Sequence, residues 1–313
     1  MIVTVTPNPA YDTTYEIPAL IPGEVHRVAT THLRPGGKGI NVASVLLQLG
    51  SEVTATGFAS NAFAVEVARL GITQRFVPVL PHVRRTLAVV EPQRTTSLWE
   101  PGVPPPDPRA AVSELCRAVD ELMADARCLV VSGSLPPETP LTLPADLAHA
   151  ALRRGVPVLV DTSGEALRLA SVVRGVVLMP NADELTELTG AGSTIDEVVA
   201  ASRSLVEGGV AAVYATRGAD GLVLTTGAGS WVVASPVDVP GNPTGAGDAA
   251  AAAVAHGLAG GRSHHEIAEL AVAVSAAAVA EPVAGRLDVE VQRHVLDGVI
   301  TRSWVDAQDG DSR

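Results

Sequence analysis

The 313-residue chain is 47% hydrophobic but only 3% aromatic, and it carries a formal charge of −12. Such a chain can bury one large α/β core or two modest ones, and that core has to be aliphatic and alanine-rich. The acidic balance argues against a nucleic-acid surface or an anionic membrane as partner, while a locally basic site for an anionic substrate stays possible. Cys116 and Cys128 form neither a disulfide framework nor a metal-ligand spacing, so a reducing cytoplasm is expected. The opening "MIVTVTPNPAYD" has no basic n-region or long apolar stretch, and the Ala/Val tract at 249–259 is too short to span a bilayer. A soluble cytoplasmic protein is the expectation.

In chain order, "MIVTVT" reads as a strand, "GINVASVLLQLG" (39–50) as a helix closed by Gly50, "EVTATGF" as a strand and "FAVEVARLG" as a helix. A helix around 110–125 precedes the strand "CLVVSG", and one around 144–154 precedes "VPVLVD". "GVVLMPN" is a strand before the helix "ADELTELTG", and a helix at 195–208 precedes "AAVYATRG". Helices alternating with short, wholly apolar strands imply a parallel sheet covered on both faces. Two stretches break the rhythm. Residues 12–34 and 84–100 alternate polar with apolar in "TTYEI", "EVHRVATTHL", "TLAVVEP" and "TTSLWEP". They are expected to pair into a small half-exposed sheet, a lid over the main α/β domain of 1–11, 35–83 and 101–313. "PGVPPPDP" (101–108) reads as a stiff connector leaving that lid, and the tail "DAQDGDSR" as disordered.

Two glycine-rich segments carry chemistry. In "GNPTGAGDAAAAAVAHG" (241–257) the alanines favour a helix and the glycines resist one, which puts Asp248 at a helix start. Unpaired N–H groups and a partial positive charge gather there, a setting for an anion, and a carboxylate beside it can take a proton from whatever attacks that anion. In "LRPGGKGINVA" (33–43), Lys38 is the only lysine of the chain against 21 arginines. A compact ammonium fits a tight glycine loop near a phosphate where a planar guanidinium does not. The Walker A spacing is absent, and no G-x-G-x-x-G follows the first strand, which disfavours a P-loop enzyme and a dehydrogenase. His264–His265 with Glu266 reads as a helix start, since adjacent histidines face different sides and no third ligand is spaced for a metal.

With both segments in place, the chain resembles the PfkB family of carbohydrate kinases, within the ribokinase-like superfamily. "RPGGKGINVASVLLQLG" matches its early signature and "GNPTGAGDAAAAAVAHG" its late one. "VSGSLPP", "DTSGEAL", "MPNADEL" and "TRGADG" follow in the family's order between them. "TPNPAYDTTYEI" followed by "GEVHRVATTHLRPGGKGIN" is most similar to the 1-phosphofructokinase and tagatose-6-phosphate kinase branch. The resemblance implies a three-layer α/β sandwich with a central, mostly parallel sheet and a small β-sheet lid. It also implies ATP-dependent phosphorylation of a ketohexose phosphate, fructose 1-phosphate first among them, with Mg²⁺ as cofactor.

Carried over residue by residue, Asp248 becomes the base, and the N–H groups of Gly245, Ala246, Gly247 and Asp248 an anion hole for the transferring phosphoryl group. Asp12, Asn41 and the Gly36–Gly37 backbone meet the sugar. Arg27, Arg84 and Ser134 take its phosphate, and Lys38 reaches towards the γ-phosphate. Asn181 and Glu184 orient Mg²⁺ through waters, and Thr216, Gly218 and Gly221 line the nucleotide phosphates. A homodimer through the lid is expected. The chain departs from the branch at Thr86 and Trp99, where asparagines are usual, at Met179, where lysine is frequent, and in "GNP" before the late signature. Those departures keep other readings alive: a tagatose-6-phosphate or 6-phosphofructo kinase, a kinase of an unphosphorylated sugar or nucleoside, or a non-enzymatic sugar- or nucleotide-binding regulator.

Overall fold

Strand β1 (Ile2–Thr6), fully buried, leads through Pro7 and Pro9 into β2 (Ala10–Glu16) and β3 (Thr30–Gly36) in this computed structural model, which describes residues 1–304. Helix α1 (Lys38–Gln48), β4 (Val53–Gly57), α2 (Asn61–Arg69) and the two-residue β5 (Thr73–Gln74) follow, then the hairpin β6 (Arg84–Glu91) and β7 (Arg94–Trp99). The regular alternation runs through α3 (Pro108–Leu122), β8 (Cys128–Ser132), α4 (Leu143–Arg153), β9 (Val158–Asp161) and α5 (Gly164–Ala170). It continues with β10 (Val177–Leu178), α6 (Ala182–Thr189), α7 (Ile195–Glu207) and β11 (Ala212–Thr216). The chain closes on β12 (Leu222–Thr226), β13 (Gly229–Ala234), α8 (Ala246–Gly260), α9 (His264–Val279), α10 (Val289–Gly298) and β14 (Ile300–Ser303). The tail expected to be disordered, 306–313, lies outside the described residues.

The main sheet has the order β14-β13-β12-β11-β10-β9-β8-β1-β4-β5, parallel from β5 to β11 and antiparallel beyond it. Helices α3 to α7 pack in succession on one face, and α1, α8, α9 and α10 on the other, with α4 and α8 both seated on β8 and β9. This is the three-layer arrangement expected. The antiparallel edge was not foreseen, because β12 and β13 read as a hairpin around "TTGAG" only once β11 is in place beside them. The predicted strands "VPVLVD" and "GVVLMPN" shorten to four and two residues respectively. Alanine makes the α8–α9 contact close: a methyl group on Gly257 would stand 2.3 Å from Ile267 Cγ1.

The small sheet has the order β3-β2-β6-β7, with β2 and β6 parallel. Its register aligns Arg34, Asp12, Thr86 and Trp99 across four strands on one face. One rung on, Leu33, Thr13, Leu87 and Leu98 align on the other face. The expected strand over 24–33 is largely absent: residues 18–29 form an irregular excursion, and β3 begins only at Thr30. Pro18 and Pro22 cannot donate to a ladder, Gly23 turns the chain at φ 87°, and the His26 ring accepts the Ile21 N–H at 3.0 Å. Arg27 therefore sits in a loop. It does not stand on a lid strand.

Candidate active site

The carboxyl ends of the parallel strands gather one set of polar groups, as open α/β sheets do where ligands bind. Asn8 follows β1, β2 of the small sheet contributes Asp12, β8 delivers Ser132 and Ser134, and β9 ends on Asp161. Asn181 follows β10 and is paired by a single bridge with Thr216 at the end of β11. α1 and α8 approach from the other side with Lys38, Asn41 and Asp248.

Asp248 lies in the first turn of α8 and is 7% exposed. Burial pushes its carboxyl up to about 7. The charge of Lys38 and a hydrogen bond from Asn41 hold it down, and the nearby Asp161 and Asp12 act the other way. Asn41 Nδ2 donates to Asp248 Oδ2 at 2.9 Å and to Asp12 Oδ2 at 3.3 Å, joining the two carboxylates through one amide. Its Oδ1 is buried without a hydrogen-bond partner among the described residues. Thr86 Oγ1 completes the chain by donating to Asp12 Oδ1 at 2.6 Å. Thr86, read from sequence only as a lost amide, therefore fixes the Asp12 carboxylate from the next strand.

Lys38 begins α1 and donates to Asp161 Oδ1 at 2.9 Å, and Ser132 Oγ donates to Asp161 Oδ2 at the same distance. Burial works against the Lys38 charge, yet Asp161, Asp248 and Glu184 together hold its pKa above the ordinary lysine value. Asp161 opens the quoted "DTSGEAL" but was not singled out. An aspartate at the end of a buried strand, one position from a glycine-containing turn, was the available signal.

The glycines differ in what demands them. A Cβ on Gly36 would fall 2.0 Å from Asp12 Oδ2, and one on Gly39 would fall 2.3 Å from Thr6 Oγ1. Close packing against β2 at Gly36 and against β1 at Gly39 requires them, whatever their backbone does for a ligand. Gly37 caps α1 at φ 93°. Gly245 caps α8 in the left-handed region at φ 85°, where a Cβ would also meet Ala284 Cβ at 2.6 Å. Gly247 is different: a methyl there meets no protein atom within 4 Å.

One expectation needs correction at this helix start. The Ala246 N–H already donates to the Pro243 carbonyl at 3.1 Å, because the N-cap turn closes on itself. Gly245, Gly247 and Asp248 keep N–H groups without a protein acceptor among the described residues.

Asn181 and Glu184 form a reciprocal capping box at α6, with bonds of 2.8 and 2.9 Å. Burial raises the Glu184 carboxyl, and Lys38 opposes that. Thr216 and Gly218 stand at the end of β11 and in the turn after it. Gly221 is demanded by the strand behind it, since a Cβ would lie 2.1 Å from the Val233 carbonyl oxygen. Among the described residues no cluster of three His, Cys, Asp or Glu side chains could hold a metal by itself. Ser263 caps α9, and His264 and His265 open the helix and turn to different partners, Tyr214 and Trp231, as the sequence implied.

Of the two arginines expected at a phosphate, Arg84 lies among the polar groups described above and Arg27 does not. Arg84 Nη1 donates to the Glu100 carbonyl at 2.8 Å and Nε to the Asn8 carbonyl at 3.4 Å, so its guanidinium is half-buried near Asp12. Arg27 is exposed in its loop and makes no side-chain hydrogen bond or ion pair among the described residues. Sequence reasoning missed Arg34, aligned with Asp12 on β3 and bonded to Ser44 Oγ at 3.1 Å. Trp99 is 74% exposed at the sheet edge, and Met179 is buried in the core.

A mostly parallel sheet between two helical layers, with a second small sheet and an acid at a glycine-rich helix start, defines a ribokinase-like α/β protein. The model of the pfkB family carbohydrate kinases matches residues 3–289. The chain is 36% identical over 290 residues to a 1-phosphofructokinase of Rhodobacter capsulatus, covering 90% of each. A tetrameric inhibited form of phosphofructokinase-2 from Escherichia coli superposes with TM-score 0.85 at 28% identity, over 95% of this chain and 98% of that one. The Arabidopsis thaliana ribokinase complexed with ribose and ATP has TM-score 0.70 at 22% identity, over 94% and 98% respectively, a likeness of fold. The chain belongs to the pfkB family of carbohydrate kinases, phosphotransferases with an alcohol group as acceptor. No helix among the described residues is long and apolar enough to cross a membrane.

Proposed function

We propose that the chain transfers the terminal phosphoryl group of ATP to a hydroxyl of a ketohexose phosphate, with fructose 1-phosphate as substrate and fructose 1,6-bisphosphate as product. The observation that carries the reading is Asp248: a buried carboxyl with its pKa about 7, at an unsatisfied helix start, joined through Asn41 to Asp12. The 36% identity to a 1-phosphofructokinase supports the substrate. Asp12 and Asn41 hold the sugar, and Asn41 Oδ1, which lacks a donor, accepts from a sugar hydroxyl. Asp248 takes the proton as that hydroxyl oxygen bonds to the γ-phosphorus and the bond to the β–γ bridging oxygen breaks. The N–H groups of Gly245, Gly247 and Asp248 receive the charge on the transferring group, and the open space over Gly247 suits a phosphate resting on the backbone. Lys38 adds a positive charge to the same region.

Thr216 and Gly218 meet the nucleotide phosphates. For magnesium, Glu184 keeps one carboxylate oxygen beyond that given to the Asn181 N–H, a hard donor that fits an ion held mainly by water and phosphate oxygens. When bound, Mg²⁺ would neutralise the β- and γ-phosphate charge. The second sheet, which carries Asp12 and Arg84–Thr86, would serve as a lid over the sugar site, excluding water during transfer. One observation favours an unphosphorylated sugar instead: Arg27 is not at the site. Phosphorus NMR of the product formed from fructose 1-phosphate tests the main reading. A second phosphate ester at C6 is expected, and formation of inorganic phosphate alone would defeat it.

Thr86→Val, which removes the hydroxyl that fixes Asp12, should raise the sugar KM several-fold, about 1 kcal/mol, with the KM for ATP unchanged. Titration of both substrates checks it.

The small sheet's outer face points to a homodimer. Leu33 and Leu98, 64% and 56% exposed, lie on one rung with Thr13 and Leu87. A strip of that kind suits a second copy, and the similar phosphofructokinase-2 is a tetramer in one form. Leu33→Glu with Leu98→Glu should halve the mass seen by light scattering. A wild-type monomer across working concentrations would remove the dimer.

A further inference from the structure

Asn8, in the "TPNPAYD" segment, has no part in the reaction above, yet it is 5% exposed and every polar atom of its side chain is engaged or packed. Its Nδ2 donates to the Pro101 carbonyl at 3.0 Å and to Ser134 Oγ at 3.1 Å. The carbonyl at Pro101 can only accept, so the amide orientation follows from chemistry. Oδ1 faces Gly102, where a Cβ would intrude to 2.4 Å, and Gly102 itself turns at φ 101°. Its backbone carbonyl accepts from Arg84 Nε. One residue thus ties together the start of β6, the chain leaving β7 and the loop after β8.

We infer that Asn8 is a positioning residue that sets the affinity for the substrate's own phosphate by aligning Ser134 and Arg84, a step that rests on the sugar-phosphate reading above. The amide fills an acceptor position on Ser134 Oγ, which turns the hydroxyl proton away from Asn8. No acceptor takes that proton among the described residues. Arg84 is oriented in the same way: Nε and Nη1 are held by two backbone carbonyls, no carboxylate lies within ion-pair distance, and Nη2 has no partner among the described residues. A hydroxyl oriented by the Asn8 amide and a guanidinium edge held by the backbone carbonyls of Asn8 and Glu100, both with donors to spare, are the donor set for a phosphate monoester. Because Pro101 and Glu100 end the small sheet, the same bonds set where that sheet leaves the site.

Asn8→Asp keeps the shape but presents an oxygen to the Pro101 carbonyl and a negative charge to the phosphate. Asn8→Ala simply removes the donors. For both, the KM for fructose 1-phosphate should rise about tenfold or more, the weight of one charge-assisted hydrogen bond. The kcat should stay within about threefold and the KM for ATP within about twofold, a split that general loss of folding would not give. Ser134→Ala should weaken phosphosugar binding by itself and add little on top of Asn8→Ala, since both remove one aligned donor. Additive effects, or a fall in kcat with KM unchanged, would overturn the assignment of Asn8. A wild-type enzyme that turns over only unphosphorylated sugars would overturn it through the substrate reading, and that outcome is recognisable before any variant is made.

Discussion

Asp248→Asn is expected to lower kcat on the order of 10³-fold or more while ATP binding stays within about twofold. The amide keeps the shape and can still accept from Asn41, but it cannot take a proton from the acceptor hydroxyl. The loss should be uniform with pH in the variant, whereas the wild type should gain activity as pH rises through about 7 and then level off. The sign follows from the chemistry: the working form is the ionised carboxylate, and burial makes that form scarce below the pKa. Burial of a charge also costs stability, so Asp248→Asn should melt no lower than wild type at pH 8 and is expected to melt higher. Isothermal titration with ATP and a melting curve, run beside the rate assay, separate loss of chemistry from loss of structure. Retained turnover would remove Asp248 from the role of base.

Lys38→Met carries the second large effect, expected at about 10²-fold in kcat at pH 7. Two losses combine. The charge that faces the transferring phosphoryl group disappears, and Asp248 loses the neighbour that holds its pKa down. That pKa then rises further, and the acidic limb of the rate profile moves to higher pH. A rise of one unit from about 7 would leave about a tenth of the molecules with an ionised base at pH 7. Part of the activity should therefore return at pH 9 in Lys38→Met but not in Asp248→Asn. Asp161 also loses its cation and keeps only Ser132, so the variant should melt lower than wild type. A rate profile in Lys38→Met that superposes on the wild type after scaling would show that the lysine does not act on the base.

The sequence makes the layered α/β body legible because its strands are short, apolar and punctuated, and its helices end on glycine. It also places Asp248 correctly at a helix start, since a glycine-rich turn running through that aspartate into five alanines admits little else. What it conceals is contact between distant segments. Nothing in "RPGGKG" says that Gly36 and Gly39 are small because Asp12 and Thr6 press on them. The anion-hole expectation included Ala246 because sequence cannot show that the Pro243 carbonyl turns back to occupy its N–H. Arg27 and Arg84 look alike as basic residues in polar-alternating stretches, and only the prolines ahead of Arg27, with the His26–Ile21 bond, keep it off the sheet. Thr86 has the opposite history. Judged by what it replaces, it is a loss. Judged by where its hydroxyl points, it holds the Asp12 carboxylate. Asp161 and Asn8 went unnoticed for a common reason: each acts through the side chain it fixes, Lys38 and Ser134, and such roles have no signature of their own in sequence.

A coupled ADP-release assay with ATP and Mg²⁺ tests the central claim most directly, run over fructose 1-phosphate, tagatose 6-phosphate, fructose 6-phosphate, fructose and ribose. The account predicts that kcat/KM for fructose 1-phosphate exceeds that for fructose by about 10³-fold, the weight of an anchored phosphate. Turnover confined to fructose or ribose would contradict it.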